Sequence, residues 1–128
     1  MKSYQGGFRE LDVWKVSRQF RTMISKLAEG FPEHEKFSLT AQIKRSSRSI
    51  TANIAEGYGR FHYKETIQFF RQSRGSLFET LDHLTTAIDE GYINEEEFRE
   101  AEDLSKRITM LVHGYINFLE NSRNESNI

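Results

Sequence analysis

The chain has 128 residues, a formal net charge of −1, one proline, eight glycines and no cysteine. That length suits one domain able to bury a real core, and the missing thiols exclude disulfides, thiolate zinc sites and cysteine nucleophiles. With 29% charged residues the composition fits helices with polar outer faces and is too apolar for a disordered chain.

Four helical segments follow one another, predicting an all-α, antiparallel up-and-down four-helix bundle in a single domain over 1–128. The first spans about 12–30. Val13, Val16, Phe20, Ile24 and Leu27 recur at spacings of three and four, so they share one face. Gly30 and Pro32 stop it, glycine because it suits a left-handed C-terminal position and proline because it cannot continue a helix. The second spans about 38–57, with Ser38 as N-cap. Leu39, Ile43, Ile50 and Ile54 form its buried stripe, and Ser46 and Ser47 are small enough for another helix to come close. Gly57 and Gly59 end it.

The third segment, about 62–90, is the most regular. Ile67, Phe70, Leu77, Leu81, Leu84 and Ile88 follow a heptad-like spacing, with Arg74 intruding at one seam position, and Gly91 closes it. The fourth, about 95–121, opens with Asn94 as N-cap and Glu97 three residues on, the pattern of a capping box. Glu95, Glu96 and Glu97 sit where the helix dipole favours negative charge. Phe98, Ala101, Leu104, Ile108, Leu111, Val112, Tyr115, Phe118 and Leu119 form its wide apolar stripe, and residues 122–128 read as a flexible tail. No segment alternates with period two, and the short links make successive helices antiparallel.

Charge is divided along the chain. Residues 38–75 carry seven Lys/Arg against two Asp/Glu, a net of +5, whereas residues 76–128 carry four against twelve, a net of −8. Such asymmetry points to a partner surface.

Four ordered stretches resemble the 23S rRNA-intervening-sequence protein family. They are Phe8-Arg9-Glu10-Leu11-Asp12-Val13-Trp14; Phe31-Pro32-Glu33-His34-Glu35-Lys36-Phe37-Ser38-Leu39; Gln42-Ile43-Lys44-Arg45-Ser46-Ser47-Arg48-Ser49-Ile50 continuing into Asn53-Ile54-Ala55-Glu56-Gly57; and Gly75-Ser76-Leu77-Phe78-Glu79-Thr80-Leu81. The resemblance covers roughly residues 8–120. It implies a small bacterial four-helix bundle that assembles into a pentameric ring, and no enzymatic activity. It also implies nucleic-acid binding of the kind shown by relatives that serve as accessory partners of a retroelement reverse transcriptase. Those relatives have strongly positive surfaces, and this chain is slightly acidic.

Catalytic and metal constellations are absent from the pattern. A di-iron bundle needs Glu-x-x-His on two helices, but the residues three before His34, His62, His83 and His113 are Phe31, Gly59, Thr80 and Met110. Glu79 and His83 share a face, with His83 expected in solvent. Ser46, Ser47 and Ser76 have no neighbouring His-and-carboxylate pattern. Gly57-Tyr58-Gly59-Arg60 lacks the lysine and spacing of a phosphate loop and reads as a tight turn. No cofactor, metal, catalytic residue or small-molecule substrate is therefore expected.

Three groups remain. Arg45, Asn53, Glu56 and Glu79 are expected to form a buried or half-buried network that fixes the register of the second and third helices, since a buried charge must be paired. Lys44, Arg48, Arg60, Lys64, Arg71 and Arg74 form a basic cluster with two readings. One is contact with RNA or DNA, with Tyr58, Phe61 and Tyr63 as stacking groups. The other is docking on the acidic half of a neighbouring copy, a contact between unlike surfaces that closes into a ring when the rotation permits. Trp14, Phe61, Phe69 and Phe78 fall beside the main stripes and are candidate oligomer contacts. No run approaches the roughly 18 apolar residues of a membrane span, and no signal-peptide stretch opens the chain, so a cytoplasmic protein without membrane contact is expected. The expected function is a non-enzymatic homo-oligomeric scaffold, with nucleic-acid binding through residues 44–74 as the alternative.

Overall fold

A computed structural model describes residues 6–126, and among these no strand occurs. A 3-10 turn at Gly7–Glu10 leads into α1 (Asp12–Glu29); a second, at Glu33–Glu35, separates it from α2 (Leu39–Tyr58). Then come α3 (Tyr63–Asp89) and α4 (Glu95–Ser126). Packing joins α1 to α2, α2 to α3, α3 to α4 and α4 back to α1, which is the up-down-up-down bundle that short links dictate. No described helix is long and apolar enough to cross a membrane.

The core is filled by the stripes in the sequence. Phe20 and Ile24 of α1, Ile43, Ile50 and Ile54 of α2, Phe70, Leu77 and Leu84 of α3, and Ile108 and Val112 of α4 are wholly buried. Leu27, Leu81, Leu111 and Tyr115 are half-buried and pack against them. The ring of Tyr115 stacks on Phe70 with centroids 4.6 Å apart, and burial raises the Tyr115 pKa. Among the described buried side chains one polar atom, the Ser17 hydroxyl, has no hydrogen-bond partner.

Small residues let α2 and α3 approach closely. The Ser46 and Thr80 hydroxyls lie 2.8 Å apart, and Ser73 donates to the Ile50 carbonyl at 2.8 Å, so each buried hydroxyl is satisfied as burial requires. Gly57 belongs to this seam. It lies inside α2 and does not end it; a Cβ there would stand 2.7 Å from the Phe69 Cβ and 3.3 Å from the Thr66 carbonyl.

The helix ends show which punctuation works. Asn94 and Glu97 form the reciprocal box, with Asn94 N–H donating to Glu97 at 2.9 Å and Glu97 N–H donating to Asn94 at 2.8 Å. Gly91 takes φ +77°, and Gly91 and Tyr92 donate back to Ile88 and Ala87 at 3.0 and 2.8 Å, a Schellman closure of α3. Gly30, in contrast, is right-handed at φ −87°; Gly30 and Phe31 donate to Leu27 and Ala28 in 3-10 fashion, and Pro32 turns the chain away. Ser38 precedes α2 without a side-chain cap bond. Its place is taken by Glu35, whose carboxylate accepts the Leu39 N–H at 3.2 Å. Residues 122–126, expected as the start of a loose tail, continue α4, and 127–128 of that tail lie outside the described residues.

Candidate functional site

The α2–α3 network is smaller and wetter than expected. Arg45 on α2 pairs with Glu79 on α3, their side chains 61% and 39% exposed. His83, one turn along α3, lies 3.3 Å from the same carboxylate oxygen with only 12% of its side chain exposed; it is not the solvated residue its register suggested. Partial burial works to raise the Glu79 pKa, but the hydrogen bonds and charges of Arg45 and His83 outweigh it and hold the group below its ordinary value. Asn53 does not join: it donates to the Ser49 carbonyl at 2.9 Å. Glu56 faces its own helix neighbour Arg60 at 3.8 Å.

The six basic candidates do not form one surface. Arg60 sits 4.7 Å over the Phe69 ring. Arg71 reaches Glu120 of α4 at 3.2 Å, and Lys64 borders the same α3–α4 groove. Arg74 is half-buried on α3. Lys44 and Arg48 turn toward α1, where Arg48 lines a groove with Arg21, Ser25, Lys26 and Glu29, while Lys44 borders the next one with Glu33 and Lys36. Arg21 donates to Thr51 across the same helix pair at 2.9 Å. The α1–α2 flank thus gathers Arg21, Lys26, Lys44 and Arg48. Sequence reasoning missed the α1 half because the basic cluster was sought only within residues 38–75; no spacing inside α1 marks these cations, since Arg21 and Lys26 stand about 140° apart around the helix and only packing against α2 brings them to one groove.

The aromatic candidates separate as well. Trp14 is buried, edge-on to Phe8 at 5.3 Å, so it belongs to the protomer core. Phe69 is half-buried against Gly57. Phe61, at 95% exposed, and Phe78, at 54%, stand outside. Phe118, placed in the core stripe by its spacing, is 60% exposed, and Met110 is 73% exposed. Both flank a groove of about 290 Å³ lined by Leu11, Val13, Leu111 and Tyr115. The apolar arc of α4 is wider than the surface its neighbours cover, and this leaves one edge of it facing out.

Among the described residues no group of three His, Asp or Glu side chains is close enough to hold a metal ion. What the molecule presents is a filled core, a basic flank, apolar side chains left in solvent, and an acidic end where Glu33, Asp89, Glu90 and Glu95–Glu97 gather around the two helix links.

A family model for the 23S rRNA-intervening sequence protein matches residues 9–114. The chain belongs to that family. A solved structure from Bacteroides thetaiotaomicron, described as a protein with unknown function from the S23 ribosomal protein family, is similar in fold with a TM-score of 0.75. It is 28% identical and the match covers 81% of this chain and 97% of that one. No curated protein matches the chain significantly.

Proposed function

We propose that this member of the 23S rRNA-intervening sequence family is a non-enzymatic, homo-oligomeric helical scaffold, a pentamer by the family resemblance, that holds another macromolecule. The observation that carries the reading is the set of large apolar side chains left outside a full core. Phe78, Met110 and Phe118 stand more than half exposed on regular helices, where no turn or cap needs them. Scattered exposed apolar residues are ordinary, but Met110 and Phe118 line one groove with Leu11, Val13, Leu111 and Tyr115, and an apolar patch of that kind marks an interface. Segregated charge supports the same reading, since a net of +5 over residues 38–75 against −8 over 76–128 gives the molecule unlike surfaces able to dock on each other. Light scattering coupled to size exclusion tests it: the scaffold reading expects a discrete multiple of the chain mass. A single-chain mass at every concentration would overturn it. If the unlike charges contribute, the assembly loosens as salt shortens the screening length from about 10 Å at 0.1 M to about 3 Å at 1 M.

A second reading, RNA or DNA binding, is favoured by the convergence of Arg21, Lys26, Lys44 and Arg48 on one flank. Binding of labelled RNA that falls steeply with salt, and falls on Arg48→Glu but not on Lys64→Glu, would support it on that flank.

A further inference from the structure

Two glycines lie in mid-helix where the protomer has no use for them. Gly75 of α3 and Gly114 of α4 are exposed, both helical in backbone, and an added Cβ at either would meet nothing within 4 Å. Glycine inside a helix is destabilising relative to alanine, and Gly57 shows the situation that justifies one, a neighbouring helix in van der Waals contact. Gly75 and Gly114 have every mark of such a contact except the neighbour. Each is bordered by exposed apolar side chains at helical spacing: Phe78 three residues after Gly75, and Met110 and Phe118 four before and four after Gly114.

Resting on the scaffold reading, we propose that a second copy of this chain supplies the neighbour, with α3 of one protomer laid antiparallel on α4 of the next and Gly75 facing Gly114. Charge argues for this occupant and this direction. Antiparallel, the residue seven beyond Gly75, Asp82, meets the residue seven before Gly114, Arg107; both are exposed, and neither makes a salt bridge within the protomer. Phe78 then meets Met110, and Arg71 comes over the Phe118 ring, a cation–π placement. A parallel arrangement sets Arg107 near Gln68 and leaves Asp82 opposite Asn121, with no opposite charge on either side. The side chains at a helix crossing set the interaxial distance, so two glycines facing each other let the helices approach closely while the flanking apolar side chains pack around them. The two faces are different surfaces, one on α3 and one on α4 beside the start of α1. The contact is therefore heterologous, every added copy leaves one face of each kind free, and the series ends only when a ring closes.

Gly75→Gln and Gly114→Gln test the seam in the full chain. Glutamine favours helix over glycine and is solvated in a free protomer, so circular dichroism should show both variants folded. Each variant alone should fall to the 15.1 kDa single chain. Mixed, they should form a two-chain complex and stop, because only one intact pair of faces remains. Asp82→Arg should weaken assembly and Asp82→Arg with Arg107→Asp should restore it, a readout that does not depend on either glycine. An assembled wild type whose glutamine variants assemble unchanged would overturn the seam and leave the scaffold reading standing. A wild type that is a single chain alone and gains mass only with added RNA would overturn both.

Discussion

At the scale of single residues, Gly57 and Glu35 show how a side chain, or its absence, decides local structure. Placing a methyl group at Gly57 drives it against the Phe69 Cβ and the Thr66 carbonyl, and neither belongs to a flexible chain end that can swing away. Overpacking of this kind costs about 1–3 kcal/mol, against about 1 kcal/mol that alanine gains over glycine inside a helix. Gly57→Ala should therefore lower stability, by up to about 2 kcal/mol, in urea unfolding of the intact chain. Glu35 joins the two links at the acidic end: it accepts Tyr92 O–H at 2.8 Å and the Leu39 N–H. The Tyr92 bond above all, then the Leu39 N–H, hold its carboxyl below the usual carboxylate range. Its contribution is present above about pH 4.3, the ordinary glutamate value, and is lost as pH falls through the lower folded value. Tyr92 is raised by the same bond, so its contribution is full below about pH 10 and disappears above that. Glu35→Gln should flatten the acid limb of the stability–pH curve and leave Tyr92 titrating closer to an ordinary tyrosine in ultraviolet difference spectra.

Between elements, capping and pairing carry different weights. The Asn94–Glu97 box satisfies two donors at the start of α4, and Asn94→Ala should cost about 1 kcal/mol in the same unfolding experiment. The Arg45–Glu79 pair links α2 to α3 in plain view of solvent, where such pairs contribute about 0–1 kcal/mol. Arg45→Met should change stability by less than the loss of the cap. A larger loss, matched by Glu79→Gln and absent from the sum in the double variant, would mean that the pair fixes helix register after all.

These elements also show what the sequence made legible. Periodicity revealed all four helices, because each stripe had to face a common interior, and Asn94 with Glu97 named its own cap. It was less informative about which edge of a stripe stays uncovered: Phe118 and Leu119 are neighbours in the same apolar run, yet one is in solvent and the other in the core. That depends on the rotation of α4 against α1, which spacing within α4 does not contain. The basic cluster failed for a related reason. Lys44 and Arg45 are consecutive, about 100° apart around the helix, so one joins the α1 flank and the other turns to α3.

For the molecule as a whole, the even number of helices returns the chain to the pole where it began, and this has a consequence for any assembly. The start of α1, the 59–62 link with its protruding Phe61, and the last turns of α4 share one pole; the carboxylates of 33–35, 89–90 and 95–97 crowd the other. In the proposed ring, copies related by turning about the long axis would all point the same way, and their collar would have two unlike rims. One carries most of the carboxylates, with Lys36 and the exposed Phe37 among them; the other is mixed in sign and carries the exposed Phe61. A collar of that kind would offer a partner different charge at its two rims, so a partner that selects carboxylates, or avoids them, would dock on one side only.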